Sequence, residues 1–412
     1  MKLSLYTIVI LISAIILSGC AKVPIVPPFN PNTKSTEQLI AANNAFGFGL
    51  LKEVVGVNKP DSNVFISPLS VSLALAMTYN GANGDTKTAM ETTLWKDLAD
   101  SAINPTNKSI TNELLSADPN VIMEIANSIW YKKGLTVLPT FIADNQNYYN
   151  SPVNALDFSA PGSVDIINGW VSEKTHEKIK TILNEIPEDA RMYLINAIYF
   201  KGTWLYKFDE NATQLETFTL NDASTRQVKM MKQQQTFNYL SNPLFSAVEM
   251  PYGNGRFSMV VMVPAQDKSL NDLIAELNPT NWETWMESFV KEELVVHLPK
   301  FKFEFSNTLN VPLTNMGMGI AFDPLNADFS KITGYRDLYI SIVLHKTFVD
   351  VNEAGTEAAA VTAVEISTMS LDGGGKVIPH FRVNKPFLFV IKEKETNALI
   401  FMGKMMYPEG QE

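Results

Sequence analysis

The groups in this 412-residue chain that could carry catalysis or hold a metal are few: four histidines, a single cysteine and scattered carboxylates. His176, His297, His345 and His380 lie far apart, and none belongs to an HExxH helix motif that would aim two imidazoles at one zinc. Neither a Walker A loop nor a GxSxG nucleophile elbow occurs. "GNGRFS" (Gly253 to Ser258) has part of a glycine-rich phosphate loop, but it sits between two strand-like runs and reads as a hairpin turn. A Ser-His-Asp site assembled from distant segments is the catalytic alternative that remains. The residues otherwise imply a protein that is not an enzyme and takes no metal or cofactor.

A different chemistry is suggested by "NEAGTEAAAVTAVEISTMS" (Asn352 to Ser370). From Thr356, the alternate positions Thr356, Ala358, Ala360, Thr362, Val364 and Ile366 are all small or apolar, whereas the intervening set holds both charges, Glu357 and Glu365. In a strand these sets face opposite sides. With small residues first and no proline, the stretch could slide between two existing strands without a clash or a lost ladder donor. On pattern alone, a resident strand or an Ala-rich helix explains the segment equally well.

The rest of the chain must position that segment. Composition is that of an ordinary globular protein, 46% hydrophobic and 18% charged, and the net charge of -10 argues against binding to nucleic acid. At the N-terminus, Met1-Lys2 and the apolar run Leu3 to Leu17 read as a secretory signal (residues 1–19), ending in "LSGC". That motif resembles a prokaryotic lipobox, which implies acylation of Cys20 and a lipoprotein exported to the cell envelope or cell surface. With Cys20 the only cysteine, no intramolecular disulfide can form. Four prolines between Ala21 and Thr36 suit an extended tether (residues 20–35), leaving residues 36–412 as one folded domain. Helical spacing is expected at 37–57, from Pro68 to Asn80, from Thr86, and at 140–147, 164–179, 270–276, 281–289 and 310–316. Strands are expected at 63–67, 122–131, 193–200, 245–251, 257–263, 294–298, 387–391 and 398–402. There is neither a regular βα alternation nor a repeat period, which points to a single α+β domain with several sheets.

Six stretches together resemble the serpins, serine protease inhibitors that trap their target by loop insertion. They are "NVFISPLSVSLALAMTYNGANGDT" from Asn63, "NAIYFKGTW" from Asn196, "VHLPKF" from Val296, "HKTFVDVNEAGTEAA" from His345, "VNKPFLFVI" from Val383 and "FMGKMMYP" from Phe401. The resemblance implies a fold of three β-sheets with about nine helices and an exposed reactive-centre loop.

It further implies a suicide-substrate inhibitor whose scissile bond, fourteen residues on from Gly355, is Met369-Ser370. Hinge residues would be Glu353, Gly355, Thr356, Glu357, Ala358, Ala359, Ala360 and Thr362, with Thr356, Ala358, Ala360 and Thr362 turned inward and Glu357 outward. Ser67, Ser70, Asn196 and His345 match the polar "shutter" under the middle of the insertion sheet. Trp204, Lys300 and Glu353 match the "breach" at its top. Methionine before the cut suits an elastase-like or chymotrypsin-like serine protease and disfavours a trypsin-like one. The implied partners are that protease and, through Cys20, a membrane, with the protein a monomer and no nucleic acid bound. A serpin-fold binding or chaperone module that no longer inhibits is the alternative, and a substrate-binding envelope lipoprotein a more distant one.

Overall fold

The computed structural model describes Asn30, residues 33–357 and residues 378–410. Helix α1 (Lys34–Val57) starts where the Thr33 hydroxyl accepts from the Thr36 amide, and it buries Leu39, Phe46, Leu50, Leu51 and Val54. After strand β1 (Val64–Ile66), Pro68 occupies the first turn of α2 (Pro68–Tyr79), where a missing N–H costs nothing. Nearly every residue of α2 is buried, so this helix runs through the interior rather than along a surface.

The chain continues through α3 (Gly84–Leu94), α4 (Asp100–Ser116), β2 (Val121–Lys132), α5 (Pro139–Tyr149), β3 (Val153–Leu156), α6 (Ser163–Lys174) and β4 (Met192–Thr203). A block of strands follows: β5 (Gln214–Thr219), β6 (Thr225–Ser241), β7 (Phe245–Pro251) and β8 (Phe257–Pro264). Then come α7 (Leu270–Ala275), α8 (Pro279–Glu287), β9 (Val290–Pro299), β10 (Phe301–Thr308), α9 (Asn310–Leu313) and α10 (Ser330–Thr333). The last elements are β11 (Leu344–Asn352), β12 (Gly355–Thr356), β13 (His380–Arg382), β14 (Phe387–Glu393) and β15 (Leu399–Met405).

Two hydrogen-bonded sheets result among the described residues. One has the order β10-β11-β12-β4-β2-β3; the other runs β1-β15-β14-β8-β7-β6-β9-β13, with β5 also on β6. The expected three sheets are seen here as two networks because β6 is continuous: it pairs with β5 at its start, β9 along its middle and β7 at its end.

Most predicted elements appear within a few residues of their expected bounds, and "GNGRFS" is indeed the turn between β7 and β8, with Gly253 and Gly255 at positive φ. Three departures have physical causes. The helix expected to 179 stops at Lys174, because His176 and Glu177 both take left-handed backbone. The helix expected over 310–316 ends at Leu313 and passes into an irregular turn around Gly317, φ +113. Strand β6 carries Lys229, Lys232 and Gln233 to Gln235, so its polar sequence gives little strand signal, and pairing with neighbours on both edges makes it a strand.

The interior between the sheets is aromatic. Phe65 of β1 stacks on Phe401 (centroids 5.0 Å apart) and Phe389 (5.4 Å) of its own sheet and meets Phe303 of β10 at 6.1 Å. Close packing there leaves no room for a side chain at position 403, where a Cβ would lie 2.1 Å from the Phe389 ring. Phe200 of β4 meets the same layer at Phe401, centroids 6.3 Å apart.

Candidate functional site

At one end of the six-stranded sheet, β11 turns back on itself and its continuation becomes β12, wedged antiparallel between β11 and β4. Val351 pairs with Thr356 and Asn352 with Gly355, while on the other edge Gly355 faces Thr203 and Thr356 faces Gly202. Gly355 has φ +149, and a Cβ on it would fall 2.1 Å from the Gly202 carbonyl oxygen, so no other residue fits this wedge unchanged. Thr356 points inward as expected: it is buried, and its hydroxyl lies 2.6 Å from that of Tyr252.

Below Thr356 the two flanking strands part. No ladder joins β4 to β11 among the described residues, although both run alongside the same gap. A cavity of about 270 Å³ lies there, bounded by Met192, Leu194 and Asn196 on one side and Val343, Leu344 and His345 on the other, with α2 contributing Ser70, Val71 and Leu75. Below Thr356, each of these strands is paired among the described residues on its far edge only, β4 with β2 and β11 with β10. An extended segment placed between them would gain backbone hydrogen bonds on both sides.

Ser67, Ser70, Asn196 and His345 do meet, as a chain rather than a cluster. The Ser67 amide donates to His345 Nε2 (3.0 Å), and the Ser67 hydroxyl donates to the Ile400 carbonyl (2.7 Å) while capping α2 by accepting from the Ser70 amide (3.2 Å). Ser70 Oγ then donates to Asn196 Oδ1. The sequence reading missed the next link, Asn127: Asn196 Nδ2 donates to its Oδ1 at 2.6 Å, and Asn127 Nδ2 donates to the Tyr149 carbonyl at 2.9 Å. The register Asn127 opposite Asn196 between β2 and β4 could have exposed it once that pairing was known. His345 is an acceptor at Nε2 and wholly enclosed, and burial pushes its imidazole down to about 4.

The three residues expected at the top of the sheet also come together. Lys300 Nζ is 2.7 Å from Glu353 Oε2, and Thr213 donates to Glu353 Oε1 at 2.7 Å. Burial opposes the charge on Glu353, but the bonds from Lys300 and Thr213 hold its carboxyl below the ordinary value. Trp204 is tied to the same turn through its indole N–H, which donates to the Asn352 carbonyl (3.0 Å), and its ring stacks on Tyr252 at 4.3 Å.

One expectation needs correcting. Glu357 does lie on the face opposite Thr356, but that face is covered by the connection following α6. Its side chain is 3% exposed, 3.8 Å from Lys178 Nζ, and its backbone turns out of the sheet at φ +54. Ala358, Ala359, Ala360, Thr362, Met369, Ser370 and Cys20 lie outside the described residues. Of the histidines not yet placed, His176 contacts Glu124 (3.0 Å), and His297 lies between Glu216 (2.9 Å) and His380 (3.0 Å). No group of three or more metal-type ligands occurs among the described residues.

A family model described as "Serpin (serine protease inhibitor)" matches residues 41–408. The leukocyte elastase inhibitor of Xenopus tropicalis is 36% identical over 386 residues, covering 90% of this chain and 100% of the relative. A crystal structure of the thermophilic serpin tengpin in the native state superposes with a TM-score of 0.84 at 32% identity, covering 93% of this chain and 96% of that one. Thyroxine-binding globulin in complex with thyroxine gives a TM-score of 0.80 at 27% identity, with 90% and 99% covered.

The depressed value of His345 fixes the sign of a pH effect. An unfolded imidazole, near 6.5, takes a proton that the folded one refuses until about 4, so this contribution to stability is complete above 6.5 and is lost as pH falls towards 4. The loss reaches about 3 kcal/mol. Urea unfolding followed from about pH 7 to about pH 4 is expected to show a shallower decline in His345→Gln than in the wild type. His297, whose imidazole burial also lowers, contributes with the same sign in both proteins.

Proposed function

The chain belongs to the serpin family, and from that premise we propose that it is an inhibitory serpin whose loop, cut at Met369-Ser370, inserts between β11 and β4. Its family is one of protease inhibitors, not of catalysts. The observation that carries the proposal is the wedge: Gly355 and Thr356 are already paired into a gap whose two edges have no ladder to one another among the described residues.

Extending the wedge register by two places at a time gives the inserted strand. Ala358 would come between Phe200 and Val349, Ala360 between Ile198 and Thr347, and Thr362 between Asn196 and His345. The inward set is therefore small where the floor is apolar. It turns hydroxylic where the polar chain from Ser67 to Asn127 lies. In this reading Ser67, Ser70, Asn196 and His345 act as the shutter, remaking hydrogen bonds as the strands part. Glu353, Lys300 and Trp204 act as the breach, holding the top of the seam closed until the loop is cut.

The chemistry before insertion is ordinary acyl transfer. The protease serine attacks the Met369 carbonyl, an ester forms, the Met369-Ser370 amide breaks, and the new amine leaves on Ser370. Insertion then carries the ester-linked protease away from its docking position. Hydrolysis needs an aligned triad and oxyanion hole, so distorting either leaves the ester stranded. Methionine at the cut, together with a relative named as a leukocyte elastase inhibitor, supports an elastase-like or chymotrypsin-like target. The similarity to a thyroxine-binding globulin favours, as a second reading, a binding module that no longer inhibits.

The two readings part on a denaturing gel. Mixing the body with chymotrypsin or a neutrophil-type elastase is expected to give an SDS-resistant covalent band. Cleaved product alone, with no rise in thermal stability, would favour the binding module. Thr356→Arg, which forces a cation into the seam, is expected to turn inhibitor into substrate, and an unchanged yield of complex would contradict the register. Export with removal of residues 1–19, lipidation of Cys20 and a tether to residue 35 belong to the same proposal. Radiolabelled fatty acid should enter the wild-type chain and not Cys20→Ser.

A further inference from the structure

The residue at which the chain leaves the sheet has surroundings that loop insertion does not explain. Just past α6, His176 (φ +50) and Glu177 (φ +62) are consecutive non-glycine residues in the left-handed region. Their turn lays His176 against Tyr199 of β4, centroids 4.4 Å apart, and carries Lys178 to 5.2 Å above the Phe348 ring of β11. The connection thus bridges both edges of the seam on its outer face. Glu357 sits beneath that bridge.

Its carboxylate is poorly provided for. Among the described residues, Oε2 is buried without a hydrogen-bond partner, and Lys178 Nζ stands 3.8 Å from it. Lys178 from the connection and Lys201 from β4 favour the ionised form, as does a hydrogen bond with Tyr199, whereas Asp350 from β11 opposes it. Behind Tyr199 stand Glu124 of β2 and His176, themselves in contact at 3.0 Å. Burial outweighs the rest and pushes the Glu357 carboxyl up to about 7.

We propose, resting on the assignment of Gly355 and Thr356 as the insertion hinge, that Glu357 sets how deeply this hinge lies in the sheet. Uncharged, it stays under the connection and keeps Gly355 and Thr356 paired between β11 and β4; ionised, it moves to water and draws both residues out of the seam. The linkage sign agrees: a carboxyl whose value is raised when buried binds its proton more tightly in the inserted hinge, so rising pH favours withdrawal. Withdrawal lengthens the loop offered to a protease. A buried hinge shortens it.

The structure supplies a reporter. Trp204 stacks on Tyr252, whose hydroxyl contacts that of Thr356, so withdrawal of Thr356 removes a partner from the Trp204 stack. Fluorescence of the intact chain, read as the difference from a Trp204→Phe counterpart in each background, is followed from about pH 5.5 to about pH 8.5. The wild type is expected to show one transition near neutrality, Glu357→Gln none, Lys178→Met one at higher pH, and His176→Gln one unmoved. A flat wild-type signal, a transition that survives in Glu357→Gln, or one abolished by His176→Gln overturns the proposal. No protease enters this measurement. A failed inhibition assay therefore counts against the inhibitory reading alone, and a flat Trp204 signal against the hinge switch alone.

Discussion

Strands β4 and β11 border one seam, and β12 pairs with both at its top, yet below Thr356 no ladder closes it among the described residues. A strand edge left without a partner is costly in a folded interior, because each amide and carbonyl removed from water needs another group. The surrounding architecture answers that constraint. Helix α2 lies under the gap and is buried nearly throughout, α6 and its connection lie over it, and the Phe65 layer holds the second sheet at a fixed distance.

Polar groups line the middle of the seam. Ser67 serves at once as helix cap, donor to a strand carbonyl and donor to His345, and the chain continues through Ser70 and Asn196 to Asn127. Such a network is strong only when every member is satisfied, and it can exchange one hydrogen bond for another at little cost as strands move. An apolar floor of the same shape would pack as well, but it would offer nothing to a hydroxyl in the strand proposed to enter there. Apolar residues accordingly fill the floor on either side of the chain, Phe200 and Ile198 above and Leu194 below.

At the top of the seam, backbone and charge make opposite demands. Gly355 is admitted only because it lacks a Cβ beside the Gly202 carbonyl, which allows the chain to start into the gap. Glu357, two residues later, carries an acid into a place where burial disfavours its charge. Glu353, on the other side of the wedge, meets the same burial but has Lys300 and Thr213 in direct contact, and its charge is kept. Two glutamates four residues apart thus shift in opposite directions: Glu353 has a lysine and a hydroxyl in direct contact, whereas burial outweighs the Tyr199 hydrogen bond and the more distant Lys178 at Glu357.

The sequence by itself determined a great deal that is local or covalent. Proline at the start of α2, helical apolar spacing in α1 and the β7-β8 turn at Gly253 and Gly255 all express backbone preferences that act within a few residues. The six family-like stretches placed Ser67, Ser70, Asn196, His345, Trp204, Lys300 and Glu353 in groups that do form. Strand β6 was not legible, since its lysines and glutamines are held in extended form by partners distant in sequence. Nor was Asn127, which acquires its place only through register with Asn196. The alternation also assigned Glu357 correctly to the face opposite Thr356, but whether that face meets water depends on where His176 to Lys178 turn back over the sheet. A strand's period fixes direction; the segment packed against it fixes the dielectric, and with it the charge.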